Sequence, residues 1–210
     1  VDAGRRRVEV STMEDGKGAM GPYDHIVNCA WAGRPALDRS AGLNLGNPWT
    51  FRMKYFVTAS TTPHTPVLPS TTVVLGGFGD IVDYGDGDVY LSWYPAGRRG
   101  WSTELIPPAW PTRPDPGAAS EITELTVSHL RDVHPGVAGL SIFGPHGPDV
   151  RGGVIYSLGN TDVDDPKSVF HRRSDVGLRS AGSYHSVDTG KYTTAPLFAE
   201  LVADRITGAR

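Results

Sequence analysis

The chain has 210 residues, 39% of them hydrophobic, which is enough for one sizeable core or for a medium domain plus part of another. A formal charge of −3, with no basic tract beyond Arg5–Arg7, excludes the footprint of a nucleic-acid binder, and no run of about 18 apolar residues offers a membrane span. One cysteine, Cys29, excludes a disulfide framework and points to a reducing, cytoplasmic setting, while Gly and Pro at 43 of the 210 positions predict many turns around short strands.

The N-terminal Val-Asp-Ala-Gly-Arg-Arg-Arg has no apolar run behind its charges and so does not read as a signal peptide. Without an initiator Met, and entering a strand pattern at once, it reads as the start of an internal or processed piece. Arg5–Arg7 reads as a solvated strand edge. Arg7–Thr12 alternates and predicts an exposed strand; a Gly-rich link containing Asp15-Gly16 follows, and Asp24–Ala30, nearly continuously apolar, predicts a buried one. Such a strand belongs in a sheet covered on both faces, and the chain has few helices to cover it, so a companion segment is expected upstream. Ala32–Leu43 predicts a short helix, with Pro35 near its start and Gly42 at its end.

From Thr50 the period becomes two. Phe51–Ala59, Thr71–Leu75, Gly79–Tyr84 and Asp88–Tyr94, joined by Gly152–Leu158, predict an antiparallel sheet, and Tyr84-Gly-Asp-Gly-Asp88 predicts a hairpin turn. Pro107–Pro116 predicts an extended linker. Ser120 is the expected cap of a helix that turns Ile122, Leu125, His129 or Leu130, and Val133 to the sheet and stops at His134-Pro135-Gly136. A terminal helix over about Ala195–Ile206, capped by Thr193 or Thr194, gathers Leu197, Phe198, Leu201, Val202 and Ile206 on one face.

The common catalytic signatures are missing: no Gly-x-Ser-x-Gly, His-Glu-x-x-His, Cys-x-x-Cys, Gly-x-Gly-x-x-Gly or Walker loop occurs. Gly76-Gly77-Phe78-Gly79 lies between strands, the wrong context for a phosphate loop. Asp162-Val-Asp-Asp165 with His171 has the chemistry of a hard-cation site, but Asp165-Pro166 reads better as turn and cap chemistry, so no metal is expected. Gly182–Pro196 is polar, Gly-containing and runs directly into the terminal helix. A helix N-terminus with Lys191 beside it suits the negative charge that develops at N1 and the C2 oxygen of a reduced flavin, although the same composition also serves as an ordinary helix cap.

Two segments carry a resemblance to a known family. Tyr184-His-Ser-Val-Asp-Thr-Gly-Lys-Tyr-Thr-Thr-Ala-Pro196, with the closing helix, resembles the C-terminal flavin-contacting segment of bacterial FAD-dependent oxidoreductases of the D-amino-acid oxidase superfamily, and Asp24-His-Ile-Val-Asn-Cys-Ala-Trp-Ala-Gly33 resembles the strand that returns beneath their flavin. Phe51-Arg-Met-Lys-Tyr55, Gly79–Gly85, Tyr90-Leu-Ser-Trp-Tyr-Pro95 and Thr161–Asp165 before His171-Arg-Arg173 follow in the family's order.

The resemblance implies an α+β fold: an antiparallel substrate-domain sheet with a packed helix over 49–182, and the C-terminal elements of a Rossmann-like FAD-binding domain from 1–48 and 183–210. It implies flavin contacts at Cys29, Ala30 and Trp31 on one side and Gly190, Lys191, Tyr192 and Thr193 on the other. Arg52, Lys54, Tyr55, Tyr90, Trp93 and Tyr94 become candidates for a pocket that clamps a small carboxylate-bearing substrate, an amine, amino acid or hydroxy acid, unless alternation sends them to opposite faces. Lys191 and His185 become candidates for charge stabilisation and proton handling, with a hydrogen-bonded loop histidine as the other reading of His185. Cys29 reads as a small buried residue at a strand end rather than a covalent flavin link. The family's Gly-x-Gly-x-x-Gly loop lies upstream of everything in this chain, so FAD would be shared with a missing N-terminal half or a partner subunit, and the apolar faces left over would otherwise drive homodimerisation. The alternative is a flavin-free binding or scaffold module derived from such an enzyme.

Overall fold

The structure, a computed structural model, describes residues 1–12, 16–46, 48–144, 147–171 and 176–208, so Asp15, Arg172, Arg173 and Arg210 of the segments above lie outside the described residues. The chain divides into two compact units: Val1–Thr50, Thr103–Pro107 and Tyr156–Arg210 form the first, Phe51–Ser102 and Pro108–Ile155 the second. Residues 156–182 therefore count with the two chain ends, whereas the sequence reading put them with the sheet.

In chain order the strands are β1 (Val8–Thr12), β2 (Gly16–Met20), β3 (Ile26–Asn28), β4 (Trp49–Ser60), β5 (Thr71–Val73), β6 (Gly79–Asp83), β7 (Asp88–Trp93), β8 (Arg98–Ser102), β9 (Phe143–Gly144), β10 (Gly147–Leu158), β11 (Gly177–Ala181) and β12 (Tyr184–Asp188). The helices are α1 (Arg34–Ser40), α2 (Tyr94–Gly97), α3 (Pro116–Val133) and α4 (Ala195–Thr207).

The second unit is built on the expected antiparallel sheet, in the order β5-β6-β7-β4-β10-β9 with β8 also on β4. β7 pairs with the far half of β4 and β8 with its near half, because α2, with Pro95 in its first turn, interrupts what would otherwise be one long strand. Period two then sorts the side chains. Val57, Leu91 and Ile81 stand abreast on three neighbouring strands and are fully buried, while Thr58, Tyr90 and Val82, one residue along, form the corresponding row on the other face.

The core face is covered by α3, whose Ala119, Ile122, Val127 and Leu130 join Met53, Tyr55, Val57, Ile81 and Leu91 in one cluster. Asp115, not Ser120, caps this helix: its carboxylate accepts from Ala118 N at 3.0 Å, and Pro116 opens the first turn. The buried stripe runs through Ala119, Ile122, Thr123, Thr126, Val127 and Leu130, so Leu125 and Val133 are exposed where the sequence reading put them inside. The helix stops at Val133 as expected, since His134 precedes a proline and takes an extended conformation. Gly77 and Gly79 are needed because Trp93 lies against their backbone, where a Cβ on either would collide with the ring.

In the first unit β1 and β2 form a separate hairpin, and β11, β12 and β3 form a three-stranded sheet in that order. β11 and β12 are antiparallel and β12 and β3 are parallel, with Tyr184 opposite Ile26 and Ser186 opposite Asn28. The expected strand over Asp24–Ala30 shortens to three residues, and Val27 is 42% exposed, because in this strand Asn28 rather than an aliphatic side chain points inward. α4 lies on β11 through Phe198, whose ring occupies the place of a side chain at Gly177 (φ 124°). No described helix is long and apolar enough to cross a membrane.

Candidate functional site

Parallel pairing makes the chain leave β3 and β12 at the same edge of the sheet, the edge where ligands of open parallel sheets bind. Beyond β3 come Cys29, Ala30 and Trp31; beyond β12 come Thr189, Gly190 and Lys191. Between them lies a recess of about 70 Å³ lined by Cys29, Trp31, Arg34, Tyr156, Val187, Asp188 and Thr189. Trp31 is held at φ 46°, a costly conformation for a bulky residue, and its indole meets Tyr156 edge-on at 6.5 Å. The turn that holds it there is fixed by Asn28, whose Oδ1 accepts from Ala30 N at 3.0 Å.

Behind the recess lies a buried polar network. Asp38, on α1 and wholly buried, accepts from Arg34 Nη1 (3.1 Å), Ser186 Oγ (2.7 Å), the Tyr184 hydroxyl (2.8 Å) and Asn28 Nδ2 (2.8 Å). Arg34 Nη2 donates to the Tyr156 hydroxyl (2.7 Å) and to Asp188 Oδ2 (2.8 Å), and the guanidinium lies 5.0 Å from the Tyr156 ring centroid. The second oxygen of Asp188 accepts from Gly190 N at 2.9 Å, which ties the loop after β12 to the network. Burial, reinforced by Asp38, pushes the Tyr184 hydroxyl well above its ordinary pKa, and burial first, then Asp188 and Asp38, pushes Tyr156 up to about 12 against the opposing pull of Arg34. Both hydroxyls therefore keep their protons across the neutral range.

The residues singled out from the sequence fall in different places. Cys29 and Trp31 line the recess, but Cys29 is exposed rather than buried, because the strand ends at Asn28. Gly190 (φ 61°) follows the Thr189 wall, and Lys191, Tyr192 and Thr193 stand exposed beyond it. Thr194 occupies the N-cap position of α4, yet its hydroxyl donates to the carbonyls of Thr189 and Lys191 instead of capping the helix. His185 belongs to β12 rather than to a loop and is 1% exposed, with Ser180 Oγ at 2.8 Å from Nδ1 and His25 Nδ1 at 2.9 Å from Nε2. Burial first, then His25 and Arg205, holds its pKa below the ordinary histidine value.

Alternation divides the proposed pocket of the second unit. Tyr55 and Trp93 lie on the core face: the Tyr55 hydroxyl donates to Pro111 O at 2.7 Å, and Trp93 stacks on His129 at 4.8 Å. Arg52, Lys54 and Tyr90 share the opposite face. There Arg52 lies 4.8 Å from the Trp101 ring centroid, Lys54 pairs with Asp80 at 3.8 Å and faces Tyr94 at 5.8 Å, and Tyr90 packs on Phe56 at 4.7 Å. The Asp162–Asp165 segment is a turn, with Asp165 N donating to Asp162 O at 3.1 Å and His171 Nε2 3.0 Å from Val163 O; no metal-type cluster occurs among the described residues.

Arg34, Asp38, Asn28, Tyr156, Ser186 and Asp188 escaped the sequence reading. The one available signal was Tyr184, Ser186 and Asp188 at alternate positions, which puts a hydroxyl, a hydroxyl and a carboxylate on one strand face.

No protein-family model matches the chain, and no curated protein matches it. Among solved structures it is similar to an FAD-dependent oxidoreductase from Pseudomonas aeruginosa at 16% identity and a TM-score of 0.48, over 97% of this chain and 52% of that one, so it spans about half the length of the protein it matches.

Proposed function

We propose that this chain forms the flavin-facing and substrate-binding part of an FAD-dependent oxidoreductase of the D-amino-acid oxidase type, acting on a small amine, amino acid or hydroxy acid. The observation that carries this reading is the parallel pairing of β3 with β12. It brings Cys29 and Trp31, from the segment that resembles the family's returning strand, to one recess with Asp188 and Thr189, from the segment that resembles its flavin-contacting loop.

The groups after β3 and β12 fit an isoalloxazine edge: an exposed indole, the Thr189 hydroxyl and, just beyond Gly190, the exposed cation Lys191. The recess is far smaller than the ~300–1,000 Å³ of ordinary ligand sites, so this chain offers one wall, and an N-terminal half or partner subunit completes the site. Bound flavin would accept hydride from the substrate. For its part, the chain orients Trp31 through Asn28, ties Gly190 to Asp188 and Arg34, and carries the charge of Lys191 two residues beyond the Thr189 wall. Of the candidates on the sheet face opposite the core, Lys54 and Tyr90 are half-buried and open to a substrate carboxylate, whereas Arg52 is 1% exposed.

The test is the visible spectrum of the protein purified with the chain encoded directly upstream or with its co-expressed neighbour, before and after FAD is added. A flavin band that Trp31→Ala weakens is expected. A preparation that stays colourless after FAD addition overturns the reading and leaves a flavin-free binding module.

A further inference from the structure

We infer that His25 and His185 form an acid-released clamp where the chain enters β3 and β12, and that its release loosens the recess at the other end of the same two strands. His25 directly precedes β3, and the rings of the pair stack 5.2 Å apart with facing nitrogens at 2.9 Å. A contact that short needs one N–H between two ring nitrogens, the other nitrogen accepting. Ser180, directly opposite His185 on β11, sits 2.8 Å from the remaining nitrogen and can donate or accept, so either neutral tautomer is satisfied.

One added proton is also tolerated, because one of the two facing nitrogens still offers a lone pair to the other's N–H. A second proton is not: both facing nitrogens then carry hydrogen, and two positive rings stand in contact. The groups that bear on His185 oppose its proton or are neutral: His25, Ser180 from β11 and Arg205 from α4. Asp24, beside His25 in sequence, is exposed and turned to Arg6 at 3.3 Å, and Asp188, on the same strand as His185, is held by Arg34 and Gly190. Burial acts in the same direction and holds the His185 pKa down. Stability from the pair is therefore complete above the unfolded histidine value of about 6.5 and is lost as pH falls through the lower folded one.

The mechanical link is short. Two residues separate His185 from Asp188, and two separate His25 from Asn28, so spreading the strand entrances disturbs the two walls of the recess. No cofactor takes part in this device.

Hydrogen exchange at the Ile26 amide, which donates to Ser183 O at 2.9 Å, reads the clamp directly. After correction for intrinsic exchange, protection should fall by up to about tenfold per pH unit below pH 6.5, the limit for one linked proton, while amides of β7 keep theirs. His25→Gln retains a side chain that can accept from protonated His185 and removes one of the groups that oppose its proton, so its protection should fall less steeply over the same range. What is compared is the change with pH within each protein, which removes any constant effect of the substitution. An unchanged wild-type protection, or an equal fall in the variant, overturns the clamp.

Discussion

The interiors of the two units are built from opposite chemistry. In the second, Val57, Leu91, Ile81, Ile122 and Leu130 close on one another without a polar atom among their side chains, and any packing that excludes water satisfies them. In the first, the buried side chains include Asn28, Arg34, Asp38, Tyr184, His185, Ser186 and Asp188, each of which is satisfied only by particular partners at particular distances. Apolar burial is non-directional and forgiving of shape. A buried polar network is directional, so it can hold a strained Trp31 and a glycine loop at fixed positions beside a recess, at the cost of sensitivity to the loss of any one member.

The largest test of this contrast is Asp38→Ala. Removing the acceptor of four hydrogen bonds leaves Arg34 buried with only part of its compensation, and a loss of about 3–5 kcal/mol is expected in denaturant unfolding of the first unit. Ile122→Ala should cost the second unit about 2–5 kcal/mol, but Ile122→Val only about 0.5–1.5, a graded response that no substitution of Asp38 should reproduce. A mild, graded Asp38 series would mean that the network is not what holds the first unit.

Alkali offers a smaller and selective stress. Tyr156 titrates near 10 when unfolded and is raised to about 12 when folded, so the stability it confers is intact below pH 10 and is lost as pH rises toward 12. The loss from Tyr156 should reach at most about 2–3 kcal/mol. Unfolding midpoints measured from pH 9 upward should fall for the native protein, and Tyr156→Phe should reduce the slope, the raised Tyr184 hydroxyl carrying the remainder; equal slopes in both proteins would refute the assignment.

Asp115→Ala removes a helix cap in the forgiving unit, and about 0.5–2 kcal/mol should be lost. Its effect is readable as a shift in the unfolding midpoint alone. The smallest effect on stability belongs to Lys191→Met, which should stay within about ±0.5 kcal/mol because the side chain is exposed. The same substitution should slow flavin reduction in the reconstituted enzyme, as stopped-flow absorbance would show; equal rates would remove Lys191 from the mechanism.

Local pattern was enough for much of the second unit. The alternation over Phe51–Ala59 and Asp88–Tyr94, the Gly-Asp-Gly turn between β6 and β7, and the stop at His134-Pro135 all appear where the sequence put them, since each depends on neighbours a few residues away. The start of α3 was misplaced because two good caps, Asp115 and Ser120, lie five residues apart, and Pro116, read as linker, is in fact the first residue of the helix. Tyr55 and Trp93 were grouped with Arg52, Lys54 and Tyr90 by residue type, and the pleat then separated them by face.

The first unit shows where local pattern stops. Cys29 and Trp31 were legible as site candidates, but Asp38 and Ser186, 148 residues apart, meet only because β12 runs parallel to β3 and α1 returns beneath both. Periodicity in the sequence sets which face of its own element a side chain occupies. It carries no information on which distant carboxylate will stand 2.8 Å from Arg34, so the strands and helices were determined along the chain, while the buried network and the histidine pair were decided by the pairing of segments about 150 residues apart.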